Sequence, residues 1–408
     1  MWVPKDRISR RSVLKAGASL VPAAALRPRG RRHQISGPHI VVIGAGAFGG
    51  WTALSLLRRG ARITLCDTWG PGHSRASSGG ESRVIRHTYD ERIYVDWVIR
   101  SLDLWRENQE RWGRPLYHET GVLWMVQDDE TYETAALTHL DAAGVAYERL
   151  DVAELTSRYP QINPEGIRWA IYEPHAGYLL ARRGCEAVRD AFVAEGGEYR
   201  QVACVAADTR DGEMRSVTLS DGSTLAVDAY VFACGPWLGR FFSDSLAALI
   251  TPTRQEVYYF GTPAGVTDFD DGTLPAWADN GGRFWYGIPG AERRGFKMAD
   301  DQRGETIDPT TQDRRPSTEG IRRARAYLEF RFPGMRGAPL IEGRVCQYEN
   351  SPDGHFIIDR HPLAANAWIV GGGSGHGYKH GPALGEFTAG LVLDDGQTEE
   401  MFSLARFA

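Results

Sequence analysis

The sequence predicts a mixed α/β (α+β) fold. It comprises a Rossmann-type dinucleotide-binding domain assembled from discontinuous segments, with a second domain built on a largely antiparallel sheet inserted between them. Three observations lead to this reading. "HIVVIGAGAFGGWTALSLLRRGARITLCD" runs as strand, glycine turn, helix and strand. Much later, "AYVFACGPWLG" and "AWIVGGGSGHGYKHGPALGEFTAGLVL" each carry an apolar strand into a glycine loop. Between them, residues 253–300 are rich in aromatic strand formers such as "VYYF" and "RFWYGIPG", as an antiparallel sheet over a pocket would be.

In the first unit Gly44, Gly46 and Gly49 form G-x-G-x-x-G between a strand and a helix. Gly44 permits the tight turn, Gly46 lets the backbone approach a pyrophosphate, and Gly49 allows close helix packing, while the helix N-terminus offers N–H donors to the anion. Asp67 ends the second strand about twenty residues on, where a carboxylate can accept bonds from an adenosine ribose. This motif does not distinguish NAD from FAD. Helical spacing covers 91–112, with Tyr94, Val95, Val98, Leu102 and Trp105 on one face. Residues 121–126 read as a strand and 131–143 as a helix, and another helix follows "GYLL". The Gly235 turn closes a second nucleotide-domain strand near the cofactor, and the glycine loop at 371–385 opens a helix. These elements assign 38–88, 150–248 and 335–408 to the nucleotide domain, and 89–149 and 249–334 to the substrate domain.

A length of 408 residues requires more than one domain, and 42% hydrophobic with 24% charged residues fits an ordinary globular enzyme. No run reaches the ~20 apolar residues that cross a bilayer, so no stable membrane insertion is expected. A net charge of −5 gives no basic field for nucleic acid. The five cysteines form no CxxC pair and no metal-ligand cluster, so no metal is expected. Residues 1–37 contain "RISRRSVLKAGASLVPAAALRPRG", in which Arg10 and Arg11 precede a small-apolar stretch ending in Ala23, Ala24 and Ala25. This resembles a twin-arginine export signal and predicts a periplasmic or extracellular protein. That route carries folded proteins, which suits an enzyme loaded with its cofactor before export.

Four later stretches are more specific: "GESRVIRHTY" (80–89), "GFKM" followed by "IDP" (295–309), "VCQYENSPDGHFIIDRHP" (345–362) and "GSGHGYKHG" (373–381). With the glycine turn, they resemble the glycine/D-amino-acid oxidase (DAO) family of FAD enzymes, in its monomeric sarcosine oxidase and N-methyltryptophan oxidase branch, over residues 39 to 395. The resemblance implies FAD bound covalently, through a thioether from Cys346 to the flavin 8-methyl group. It implies that Arg86 and Lys379 hold the substrate carboxylate, a guanidinium fork and an ammonium point charge being suited to that task. Arg83 matches an arginine near the flavin. Lys297 matches a lysine that assists oxygen, where a fixed positive charge stabilises superoxide. His376, with Gly375 and Gly377, matches the loop at the flavin's pyrimidine edge, where N–H donors and a positive charge favour the reduced anion. Tyr286 and Tyr348 match pocket aromatics. One position departs from the pattern: sarcosine oxidases carry a histidine four residues after this lysine, and here Asp301 stands there. A carboxylate favours a cationic amine and alters the pH dependence.

The resulting expectation is an FAD-dependent oxidoreductase that oxidises the C–N bond of an amino acid or N-substituted amino acid to an imine. Oxygen is the expected acceptor, hydrogen peroxide the product, and the protein a monomer. Two alternatives stay open at this point. One is a dehydrogenase of the same fold that passes electrons to a quinone or carrier; the other is a non-catalytic flavin-binding protein.

Overall fold

Apolar runs buried on both faces set the nucleotide-binding sheet. In the computed structural model, which describes residues 37–408, β1 (His39–Ile43) and β2 (Arg62–Cys66) pair in parallel, with Ile40 against Ile63 and Val42 against Leu65. Arg10, Arg11 and the expected export signal lie outside the described residues. α1 (Ala47–Arg58) connects the two strands and is buried along nearly its whole length. The full sheet runs, in spatial order, Ile357–His361, Ala364–Gly371, Ala229–Phe232, β1, β2 and Glu198–Arg200. All pairings are parallel except the outer hairpin at Ile357–His361. Segments far apart in sequence therefore complete one parallel sheet, as the glycine loops predict.

The second sheet has eight strands. Their order is Leu340–Asn350, Thr251–Phe260, Phe296–Asp300, Trp285–Ile288, Ala276–Asn280, Val122–Val126, Trp169–Glu173 and Glu148–Leu150. Only Ala276–Asn280 against Val122–Val126 is parallel. Trp169–Glu173 and Leu340–Asn350 thus pair within this sheet, although the boundaries read from sequence put both in the nucleotide domain. The strand Leu340–Asn350 is long enough to leave one sheet and end beside the glycine loop of the other: Ser374 N donates to Glu349 O at 3.0 Å. The helices expected at 91–112 and 131–143 form as Arg92–Trp112 and Thr131–Ala143, each closed by a left-handed glycine, Gly113 and Gly144. Among the described residues no helix is long and apolar enough to cross a membrane.

The helix Thr318–Arg331 covers the eight-stranded sheet through Ala324, Leu328 and a core containing Trp277, Phe296 and Phe332. Arg331, 1% exposed, ends it with a fully buried ion pair: its Nε donates to Asp279 Oδ2 at 2.8 Å. Tyr327 OH and Gln127 Nε2 also donate to Asp279, at 2.5 and 2.6 Å, and Arg331 Nη1 donates to the carbonyls of Asn163 and Glu165. Every charge here has a partner. Arg331→Met leaves Asp279 buried without its cation, and a loss of about 3–5 kcal/mol in unfolding free energy is expected in denaturant titration.

Candidate active site

The turn after β1 opens onto a cavity of about 600 Å³ whose walls include Gly44, Gly46, Asp67, Arg83, Gly235, Tyr348, Gly375 and Gly377. Two glycines there are obligatory. Gly44 has φ +106°, and a Cβ on it would lie 2.2 Å from the Ala233 carbonyl; a Cβ on Gly49 would lie 1.9 Å from Gly44 O. Gly49 does not line the cavity and acts as the sequence suggests, by seating α1 against its own turn. α1 carries no acidic residue in its first turn, so its positive end is left for an anion. Asp67 Oδ2 accepts from Ala45 N at 2.8 Å, and Oδ1 accepts from Trp69 N and Gly70 N at 2.9 and 2.7 Å. The carboxylate thus shapes both loops at this end of the cavity. Side chains at Gly375 and Gly377 would strike Tyr348 and Phe48, each at 2.6 Å, so these two positions of the loop can lie close only as glycine. A cavity with a helix N-terminus at one end and glycine-walled sides fits an extended dinucleotide.

Arg83 lines another wall, with Cys346 and Lys297 close to it. Strand β3 (Ser82–Ile85) places the Arg83 guanidinium among the carbonyls of Ser77, Gly79 and Ser82, with Nη2 3.9 Å from Cys346 Sγ. Lys297, 2% exposed, donates from Nζ to Ser82 O at 2.5 Å and lies 5.9 Å from the Tyr286 ring. It is no solvated surface charge. The fixed positive charge expected at Lys297 needs correction, however: burial first, and the Arg83 charge next, hold its pKa well below the usual lysine value. The permanent cation at this wall is Arg83.

Beside it lies a second cluster of basic and aromatic groups. The Arg86 guanidinium sits over the rings of Tyr89 and Trp124, each at 4.3 Å, and bonds the Thr88 carbonyl and Tyr132 OH. Lys379, 5% exposed, donates to Tyr89 OH at 2.7 Å and to His376 O at 2.9 Å. Among the described residues neither cation is paired with a carboxylate. Burial acts against the Arg86 charge, but Tyr132, Tyr89 and Glu173 outweigh it and its pKa is raised. Burial holds Lys379 well below the lysine range, reinforced by Arg86. Asp301 is half-buried and accepts from Tyr348 OH at 2.6 Å. Burial pushes its carboxyl up to about 6, against the Tyr348 bond and the pull of Arg86 and Lys379. Tyr348 lines the cavity as well, so one phenol links the cavity to Asp301.

His376 differs from expectation. Its Nδ1 lies 3.2 Å from Tyr89 OH and its Nε2 3.1 Å from Gly354 O, and its ring stacks on Phe356 with centroids 4.8 Å apart. Burial, then Lys379, lowers its pKa to about 3. It is neutral at physiological pH, so the positive charge in this region belongs to Arg86.

Several contributors escaped sequence reasoning. Glu173 fixes the backbone beside Arg86, accepting from His87 N and Thr88 N at 2.6 and 3.0 Å and from Thr88 Oγ1 at 2.6 Å. Nothing local in "WAIYE" signals this, because its partners lie about 85 residues earlier. Tyr89 lies inside the quoted "GESRVIRHTY", and its spacing of three residues from Arg86 could have drawn attention to it.

The FAD dependent oxidoreductase (DAO) family matches residues 39–391. Monomeric sarcosine oxidase of Bacillus sp. (strain B-0618) is 31% identical over 375 residues, covering 90% of this chain and 94% of the relative. N-methyl-L-tryptophan oxidase of Salmonella heidelberg (strain SL476) is 27% identical over 378 residues, covering 90% and 99%. The L-proline dehydrogenase of P. horikoshii shares the fold, with TM-score 0.77 at 20% identity over 91% of this chain and 98% of that one. Glycine turn, cavity and sequence likeness agree: the chain belongs to the DAO family of FAD dependent oxidoreductases.

Proposed function

We propose that the protein is an FAD-dependent oxidase of N-substituted amino acids, forming an imine from the C–N bond with oxygen reduced to hydrogen peroxide. The observation that carries this reading is the Arg86 guanidinium and the buried Lys379 amine, which meet at Tyr89 with no carboxylate bonded to either among the described residues. Burial and the Arg86 charge together hold the Lys379 amine toward its neutral form, and a substrate carboxylate would give Arg86 its countercharge and favour a proton on Lys379. The likeness to enzymes named for sarcosine and N-methyl-L-tryptophan supports an N-substituted amino acid as the substrate class.

FAD, when bound, supplies an electron sink for the hydride equivalent leaving the carbon that bears nitrogen, and a route for electrons to oxygen. The protein supplies position and charge. Arg86 and Lys379 fix the carboxylate, and Trp124 and Tyr132 shield the guanidinium. Asp301, held by Tyr348, accepts an N–H from the amine. The substrate reacts as the neutral amine, and water hydrolyses the imine after release. Cys346, beside the permanent charge of Arg83, is the anchor for the flavin ring. Lys297 serves oxygen: negative charge developing nearby draws a proton onto its amine. The Arg10–Arg11 segment supports export of the folded monomer.

Three outcomes test this. Peroxide release should be found with N-methyl or cyclic amino acids, and Arg86→Gln and Lys379→Gln should each lower kcat/KM at least about tenfold, one charge-assisted hydrogen bond being worth that much. An amine lacking the carboxylate should lose nothing in either variant. Acid precipitation of the purified protein should carry yellow flavin into the pellet, and Cys346→Ala should leave it in the supernatant. Burial raises the Asp301 pKa to about 6, so its carboxylate is present above that pH and lost below it. The plot of kcat/KM against pH should rise through about 6, and Asp301→Asn should abolish that limb.

A further inference from the structure

One buried acid takes no part in the chemistry above. Glu349 is 7% exposed, and its Oε2 is buried without a hydrogen-bond partner among the described residues. An orphaned carboxyl oxygen is costly unless a ligand satisfies it. Glu349 lines the 600 Å³ cavity together with Gly44, Gly46 and Gly235. Three glycines cradle its carboxyl: a Cβ on Gly235, Gly371 or Gly373 would lie 3.5, 3.6 or 3.1 Å from its oxygens. The same point on Gly373 lies 3.6 Å from Phe48, in the first turn of α1. Cys346 stands three residues earlier on the same strand. Glu349 therefore lines the cavity near the first turn of α1, whose N-terminus suits a diphosphate, on the strand that also carries Cys346.

We propose that Glu349 is a cofactor ligand whose carboxylic acid donates a hydrogen bond from Oε2 to an oxygen of the ribityl–diphosphate stretch of FAD. The inference rests on the assignment of FAD to this cavity. No opposite charge faces the acid: α1 presents Phe48, the glycine loop Gly371 and Gly373, and the turn after Ala229–Phe232 presents Gly235 and the thiol of Cys234. Burial pushes the Glu349 carboxyl up to about 8, with the Gly373 N–H acting the other way. Below that pH it is a neutral donor. Above it, a carboxylate would lose the donated proton and set its charge against the cofactor's phosphates.

The test uses Cys346→Ala protein, in which FAD binding is reversible, and follows quenching of flavin fluorescence at pH 7 and pH 9. If the protonated acid is required, Kd rises about tenfold between those values. Cys346→Ala/Glu349→Gln keeps an N–H donor that does not titrate, and its Kd should be the same at both pH values within about twofold. Cys346→Ala/Glu349→Ala should bind about tenfold more weakly than the parent at pH 7. Equal pH dependence in the parent and the Gln variant overturns the proposal, as does undiminished affinity in the Ala variant. If Cys346→Ala protein binds no FAD at either pH, the cofactor assignment falls and the proposal with it.

Discussion

Burial of charge without countercharge is the constraint on which the active region depends. Elsewhere the protein obeys the usual rule: Asp279 and Arg331 are both buried, and each is saturated by partners. Around the cavity the rule is suspended. Lys297, Lys379 and Arg86 find only carbonyls and phenols, Asp301 finds one phenol, and Glu349 has an oxygen with nothing. Such groups are tolerated when a ligand completes them. Their signs also sort the space, with cations toward the proposed carboxylate and acids toward the amine and the cofactor.

The scaffold that holds these groups apart comes from two sheets meeting through one strand. Leu340–Asn350 pairs with Thr251–Phe260 along nearly its whole length, which fixes Cys346 opposite Gln255 and Tyr348 opposite Thr253. Its far end reaches the glycine loop of the nucleotide domain through the bond from Ser374 N to Glu349 O. One strand therefore delivers Tyr348 and Glu349 to the cavity wall and Cys346 to the side of Arg83. β3 does the same for Arg83 and, just beyond its end, Arg86, with Glu173 bracing the turn that follows.

The local elements were legible because their signals are local. Strand, glycine turn and helix at 39–58 follow from apolar runs and steric necessity at Gly44 and Gly49. The helices at 92–112 and 131–143 follow from periodicity, and both end at glycine. Membership of sheets was less legible: Trp169–Glu173 and Leu340–Asn350 fall in stretches assigned to the nucleotide domain, but which sheet they join is decided by partners dozens of residues away. Charge state was not legible at all. "GHGYKHG" shows a histidine and a lysine, while the neutrality of His376 comes from Phe356 stacked on it and Lys379 beside it. In the same way "QYENS" gives no hint that its Glu349 is enclosed by glycines from two other segments.

The two raised acids show how one physical cause can serve opposite demands. Burial lifts Asp301 to about 6 and Glu349 to about 8. For either group ionisation opposes folding: the unfolded chain releases the proton first, so stability declines as pH rises from the ordinary carboxylate range toward the folded pKa. The proposed roles want a carboxylate at Asp301, to hold an amine, and an undissociated acid at Glu349, to donate to the cofactor. The interval between about 6 and about 8 satisfies both at once. Partial relief by Tyr348, Arg86 and Lys379 keeps Asp301 at the lower edge, and the lack of any cation facing Glu349 sets the upper one. The separation between the two acids thus follows from which neighbours each was given.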